Sequence, residues 1–443
     1  MIKFNQVIEK TIEILNKHLP VMPEDKRPCL VRDMTGMTTV ILPDDLLNPD
    51  ERLCLARALH DAFDGYSPGE RRILLTESDL IDREGIFESP YRVLSPCQTF
   101  YLIDRTQANQ EWLREPVVET LPLPTAAAFS IKGGVGRSTA MAAWAWGLAR
   151  QGKKVLVIDL DLEAPGISSL LLDTLPQYGL VDWMVESLVQ QADATLLDDM
   201  IQTSPLSQEC EGTIQVIPAC GDKENNYVAK LGRIYMPTMD NEGQFHGIAD
   251  RLNALLLAVA ARPSAPDVVL LDARAGLHDI GAAVLSQLPT TVFLFARDEL
   301  QTWQSYQHLF QHLQQSCRVQ WGMPDNDLRW RLKMVAAQLG GKNQDFDEAL
   351  SHSNDIWTTL YDEASTTEEG SEIHTFQETD KDGPHYPIPI YFHSQVSRKG
   401  LVDKGQRPAW EIMEQAFGRF IAEATEQLFA QQAVEPEEDP HAP

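Results

Sequence analysis

The residues best equipped for chemistry lie in FSIKGGVGRSTAMAAWAWGLA, which begins at Phe129 in a chain of 443 residues. Gly133, Gly134 and Gly136 stand between an apolar run, Ala126–Ile131, and a helical pattern that opens at Ser138. A glycine-rich turn in that place lets backbone N–H groups converge on phosphate oxygens, and the helix N-terminus adds partial positive charge. Glycine also admits positive φ and close approach of a ligand. Ser138 offers a hydroxyl to a Mg²⁺ ion that bridges terminal phosphates. Where G-K-[ST] loops carry lysine, this one carries Arg137. Arginine keeps the charge as a planar fork on a longer stem, and such a fork pairs bidentately with phosphate oxygens. The bland alternative is a tight strand–helix turn with no ligand.

Two more stretches weigh against that alternative. KKVLVIDLDLEAPG sets Asp159 and Asp161 at the end of the next apolar run, and APDVVLLDARAG does the same for Asp272, followed by Ala275 and Gly276. A carboxylate at the end of a buried strand is costly unless it serves a cation or a hydrogen-bond network. A glycine loop and two acidic strand ends, in this order, point to nucleotide binding.

The elements that must position these residues are short. AAAFSI, VLVIDL, TIQVIPA, VVLLDA, TVFLFA, LKMVAAQL and PIPIYF are continuous apolar runs alternating with helical patterns. Such runs read as strands buried on both faces and joined by crossovers. The expected fold is α/β, a doubly wound and mostly parallel sheet whose ligands sit beyond the carboxyl ends of the strands. Trp410, Met413, Phe417, Phe420, Ile421, Ala424 and Leu428 form one apolar helix face that should cover it. The polar stretch 221–244 and the acidic stretch 340–385 interrupt the pattern.

Ahead of this lies a smaller α+β unit, with helical spacing from Phe4 to Leu19 and through LLNPDERLCLARALHDAF, and strands at TTVIL, RILLT and YLID. LPLPT, from Leu121, reads as a proline-marked linker. The expected domains are 1–122, an α+β unit of unknown role; 123–432, the nucleotide-binding unit; and 433–443, an acidic, disordered tail.

From Ala126 to Gln432 the sequence resembles the deviant Walker-A P-loop ATPases of the ParA/MinD type. KGGVGRS, DLD and DARAG stand where that family has K-G-G-x-G-K-[ST], D-x-D and D-x-x-A/P-G. VIPAC and GLVDWM are smaller echoes, and the arginine places the chain nearest a variant branch with KGGVGR. The resemblance implies ATP and Mg²⁺ as cofactors, held by Lys132, Gly133, Gly134, Val135, Gly136, Arg137, Ser138 and Thr139. It implies that Lys132 reaches a partner subunit's nucleotide, that Ser138 and Asp272 hold Mg²⁺, and that Asp161 orients the attacking water. Asp159 would buttress the loop, Thr139 would touch the α-phosphate, and Gly276 would let the second switch segment approach the γ-phosphate. The same resemblance implies a homodimer. Gln338 is the polar residue where the family places an asparagine near the base. Arg137 leaves open whether the nucleotide is slowly hydrolysed or held without turnover.

Composition sets outer bounds. The formal net charge is −28, which disfavours nucleic acid and anionic lipid as partners without excluding a local basic stripe. The six cysteines are scattered with no C-x-x-C pair, which fits a reducing cytoplasm. No run of eighteen uncharged apolar residues suggests a membrane span. The tail lacks the tyrosines of an autokinase, and the last helix lacks the basic face of a membrane-positioning ATPase. Cys210 and Cys220 read as incidental rather than as cluster ligands. Arg274 is expected to pair with Asp279 if it is not at the phosphates, and His278 to be a plain surface residue if it touches neither phosphate nor partner. A nucleotide-gated dimer switch acting on a protein partner through the N-terminal unit is the leading reading. A non-catalytic nucleotide-holding scaffold is the alternative.

Overall fold

All seven apolar runs become strands of one sheet. The computed structural model describes residues 2–430 apart from 21, 24–25, 90–91, 96–98, 107, 115–120, 224–225, 240–244, 289–290, 317–326, 363–373, 397–399, 404 and 406. Cys97, Cys317, the tail 433–443 and part of the stretches 221–244 and 340–385 lie outside the described residues. The chain divides into two compact units, Met1–Glu115 and Pro116–Pro443.

The first unit is a five-stranded mixed sheet. Its strands are β1 (Cys29–Arg32), β2 (Thr38–Leu42), β3 (Leu74–Thr76), β4 (Arg92–Leu94) and β5 (Tyr101–Asp104), in the order β3-β2-β1-β5-β4. Helices Gln6–His18 and Pro49–Phe63 share a core in which Val7 and Leu15 meet Leu55, Leu59 and Phe63. The second helix begins where the sequence supplies a capping box: the Asn48 side chain accepts from the Glu51 amide, and Glu51 accepts from the Asn48 amide. β1 and β4 are not evident in the sequence, since four and three residues carry little periodicity. β1 is fixed by its neighbour: Arg32 lies opposite Asp104 in the parallel β1–β5 register, and the two side chains form an ion pair. Cys29 is buried, and burial pushes its thiol up to about 12, so it is an inert core residue.

The second unit holds β6 (Thr125–Ser130), β7 (Lys154–Leu160), β8 (Gln202–Thr203), β9 (Thr213–Ile217), a small hairpin of β10 (Thr238–Met239) and β11 (Phe245–His246), then β12 (Val268–Ala273), β13 (Thr291–Ala296), β14 (Leu332–Leu339) and β15 (Ile388–Tyr391). Eight of them form one sheet in the order β15-β14-β13-β6-β12-β7-β9-β8. Every pairing is parallel except that of β8, a two-residue edge too short to leave a sequence signal. The loop strand β6 lies between β13 and β12 at the centre of the sheet, where a ligand crevice forms outside the carboxyl ends.

The helix after β6, Arg137–Arg150, is buried over most of its length and is clamped by the C-terminal helix Trp410–Ala430. Trp144 packs edge-on against Phe293 of the sheet and Phe420 of the C-terminal helix, and its Nε1 donates to Thr425 Oγ1 at 2.9 Å. Trp146 faces Trp410 instead, as two residues of helical spacing require. Gly147 is needed for this approach, because a Cβ there would stand 3.0 Å from Ile421 Cγ2. The C-terminal helix therefore anchors the helix that carries the glycine loop. Phe420→Ala should cost about 3–5 kcal/mol through the cavity it leaves. Urea denaturation of the full chain measures this, and a loss under about 1 kcal/mol would contradict the clamp.

Candidate nucleotide-binding site

Three neighbouring strands, β6, β12 and β7, end at the site, and their register decides what meets there. Asp272 of β12 lies directly beside Asp159 of β7 on one side and Ala128 of β6 on the other. Both aspartates are fully buried. Two carboxylates abreast in a dry interior cannot both ionise cheaply, so each has a distinct solution. Asp159 is hydrogen-bonded: its Oδ2 accepts from Ser168 Oγ at 2.6 Å and Ser168 N at 3.2 Å, and its Oδ1 accepts from Asp161 N at 3.2 Å. Burial first, and the Asp272 charge second, push its carboxyl up to about 7. Asp272 has a cation.

That cation is Arg137. Its Nε donates to Asp272 Oδ1 at 2.8 Å, its Nη1 donates to Ser130 Oγ at 2.7 Å, and its Nη2 lies 3.7 Å from Asp161 Oδ2. Only 7 % of Arg137 is exposed. The second oxygen of Asp272, Oδ2, is buried with no hydrogen-bond partner among the described residues. The guanidinium thus ties the first turn of the loop helix to the ends of both acidic strands.

The loop itself has the backbone its glycines permit. Gly134 has φ 74° and Gly136 φ 88°, and Gly136 caps the helix N-terminus. Gly133 and Gly134 are exposed, Val135 is buried beneath them, and Ser138 and Thr139 are half-buried in the first turn. The segment after β7 returns to the loop, where a Cβ on Gly166 would lie 3.6 Å from Ser138 Oγ. The segment after β12 is tied to β6, since Gly276 N donates to Ser130 O at 2.9 Å. Gln338, at the end of β14 with φ 61°, donates from Nε2 to Gly134 O at 2.8 Å, so it braces the loop from the far side.

Lys132 faces Glu299, just past the end of β13, at 2.6 Å, and Arg297 lies 3.4 Å from the same carboxylate. Hydrogen bonding from Lys132 and the charge of Arg297 hold the Glu299 carboxyl below its usual range. Arg274 does not pair with Asp279. Its ion pair is with Glu163 at 2.7 Å, because the segment after β7 curls toward the one after β12. Tyr235 Oη donates to the same Glu163 carboxylate at 2.5 Å, and Tyr227 donates to Leu162 O. His278 is not a plain surface residue. It caps the short helix Asp279–Ala282 by accepting from Gly281 N, and burial holds its imidazole below the usual pKa.

The structure therefore gathers Arg137, Ser138, Asp159, Asp161, Asp272 and Gly276 at the carboxyl ends of the central strands and sets Lys132 beside a carboxylate. Ser130 and Ser168 bond to Arg137 and Asp159, Glu163 and Glu299 pair with Arg274 and Lys132, and none of the four is singled out in the sequence. Ser130 and Glu299 sit at or just beyond strand ends, the signal that would have found them.

The family model described as an AAA domain matches residues 125–219, from β6 through the loop, Asp159 and Asp161 to just past β9. The chain has no match among curated proteins. Among solved structures it is similar to a ParA family ATPase from Chlorobium tepidum, with 16% identity over 67% of this chain and 98% of that one and a TM-score of 0.41. It is similar to the septum site-determining protein MinD from Pyrococcus horikoshii complexed with Mg-ADP, with 17% identity, coverage of 70% and 99%, and a TM-score of 0.41. A third is a plasmid partition protein from Borrelia burgdorferi bound to AMPPNP, with 14% identity, coverage of 70% and 98%, and a TM-score of 0.40. Among the described residues, no helix is long and apolar enough to cross a membrane.

The elevated Asp159 carboxyl has a measurable sign. The folded state keeps this proton up to about pH 7, whereas an unfolded aspartate loses it near ~3.9. The folded state therefore binds more protons across that window, and its stability falls as pH rises through it. Asp159→Asn should remove this part of the slope. Urea titrations of both proteins across the window test it, and an unchanged slope would contradict the assignment.

Proposed function

We propose that the second unit binds ATP at the glycine loop and hydrolyses it slowly as part of a nucleotide-gated dimer. The observation that supports this best is the convergence of the loop, the Asp159–Asp161 strand end and the Asp272 strand end at the carboxyl ends of neighbouring parallel strands. The open amides of Gly133, Gly134 and Gly136 and the helix N-terminus receive the phosphates. Thr139 touches the α-phosphate, Gly276 admits the switch segment near the γ-phosphate, Asp161 orients the attacking water, and Asp159 holds the loop that carries Asp161. Lys132 leaves Glu299 to reach the nucleotide of a second subunit.

The residues present fit a Mg²⁺ ion that takes most of its ligands from phosphate and water. Ser138, half-buried in the first turn of the loop helix, would offer its hydroxyl, and the unpartnered Asp272 Oδ2 would accept from a metal-bound water. Among the described residues no group of three His, Cys, Asp or Glu could hold a metal alone. When bound, the ion would neutralise charge on the terminal phosphates. The N-terminal unit is the proposed docking module for a protein partner.

A second reading has its own observation. Arg137 is engaged by Asp272 and Ser130, so the loop cation could hold the fold and the nucleotide without promoting turnover. Phosphate release from Mg²⁺–ATP, followed against protein concentration, separates the two. The dimer reading expects specific activity to rise with concentration and to fall by about 10²-fold or more in Lys132→Ala. Background release with nucleotide still bound would leave the holding reading.

A further inference from the structure

We propose that Arg137 does the work of a divalent cation at Asp272 during nucleotide capture, so that the loop binds nucleoside polyphosphates equally well with and without Mg²⁺. This rests on the nucleotide-binding reading and concerns affinity, leaving to the metal its part in turnover.

The argument begins with what must be neutralised. Phosphates arriving at these strand ends approach Asp272 and Asp161, and a polyanion beside two carboxylates is repelled unless a cation lies between them. In a loop with lysine, the ammonium serves the phosphates and a metal ion stands between phosphate and the strand-end aspartate. Here a fixed side-chain cation already occupies that relation. The Arg137 guanidinium is hydrogen-bonded to Asp272 Oδ1, faces Asp161 at 3.7 Å, and is almost wholly buried. Taking it away would strand a buried carboxylate, which is strongly unfavourable, so it is not displaced lightly.

Arginine is also suited to serve both sides at once. A lysine has one nitrogen, whereas the guanidinium has five N–H donors on three nitrogens in a rigid plane. Nε is spent on Asp272 and one Nη1 proton on Ser130, while Nη2 makes no hydrogen bond to Asp161 at 3.7 Å. The remaining Nη protons make no hydrogen bond among the described residues, and a planar fork with free N–H groups suits phosphate oxygens. Nε can therefore remain on the aspartate while an Nη2 proton donates to a phosphate oxygen. The charge a metal would bring to the aspartate side of the phosphates is thus covalently attached to the first turn of the loop helix.

The test uses the full chain and a fluorescent N-methylanthraniloyl derivative of ATP, with Kd measured in excess Mg²⁺ and again in excess EDTA. The wild-type Kd should agree between the two conditions to within about threefold, and Arg137→Lys should weaken by more than about tenfold in EDTA. A wild-type loss of tenfold or more in EDTA would overturn the proposal while leaving the nucleotide reading intact. An Arg137→Lys protein as indifferent to metal as the wild type would also overturn it, since the cause would then lie elsewhere. Absence of binding in both conditions would remove the nucleotide reading and this inference together, a result distinct from metal-dependent binding. Should Arg137→Lys fail to fold, the wild-type pair of measurements still decides.

Discussion

Two fully buried carboxylates, Asp159 and Asp272, stand abreast on adjacent parallel strands, and the organisation of this site follows from that juxtaposition. Left alone the pair would be prohibitive in an interior of low polarity. One member is relieved by three hydrogen bonds and by the tendency to keep its proton, the other by the Arg137 guanidinium. Because Arg137 is the first residue of the loop helix, relieving Asp272 also fixes where that helix begins. Because Ser168 lies beyond Asp161, relieving Asp159 fixes the path of the segment after β7. The glycine loop is therefore positioned by electrostatics beneath it as much as by its own backbone.

Packing supplies the rest of the rigidity. The loop helix cannot tilt away from the aspartates without disturbing Trp144 and Trp146, which are held by Phe293, Phe420 and Trp410. Gln338 braces the Gly134 carbonyl from the end of β14. Gly133 and Gly134, by contrast, are exposed. Around the rim, Lys132–Glu299 and Arg274–Glu163 are exposed enough that water and salt weaken them. They can exchange partners at little cost, whereas the Arg137–Asp272 pair cannot.

The sheet was legible because its strands are buried on both faces and so appear as unbroken apolar runs. β8, β1 and β4 were not, since an edge pair or a strand of three or four residues owes its existence to a neighbour rather than to its own sequence. For the site, the loop and the three aspartates could be read from spacing. The direction of Arg137 could not. A motif places a side chain at the start of a helix, but which carboxylate it meets depends on the lateral register of β6, β12 and β7. The same holds for Arg274, which the sequence sets within a turn of Asp279 and whose actual partner, Glu163, is more than a hundred residues away. His278 looked like a surface residue for a similar reason: its capping role exists only once the segment after β12 has folded back.

The central claim is that Arg137 and Asp272 are energetically one unit. A double-mutant cycle with Arg137→Met and Asp272→Asn, read by urea denaturation of the nucleotide-free chain, tests it most directly. The account predicts that the two losses are far from additive, with a coupling of about 2–3 kcal/mol, because either single change leaves a buried group without its partner. Losses that add to within about 0.5 kcal/mol would contradict it, and the loop would then owe its position to packing and backbone alone.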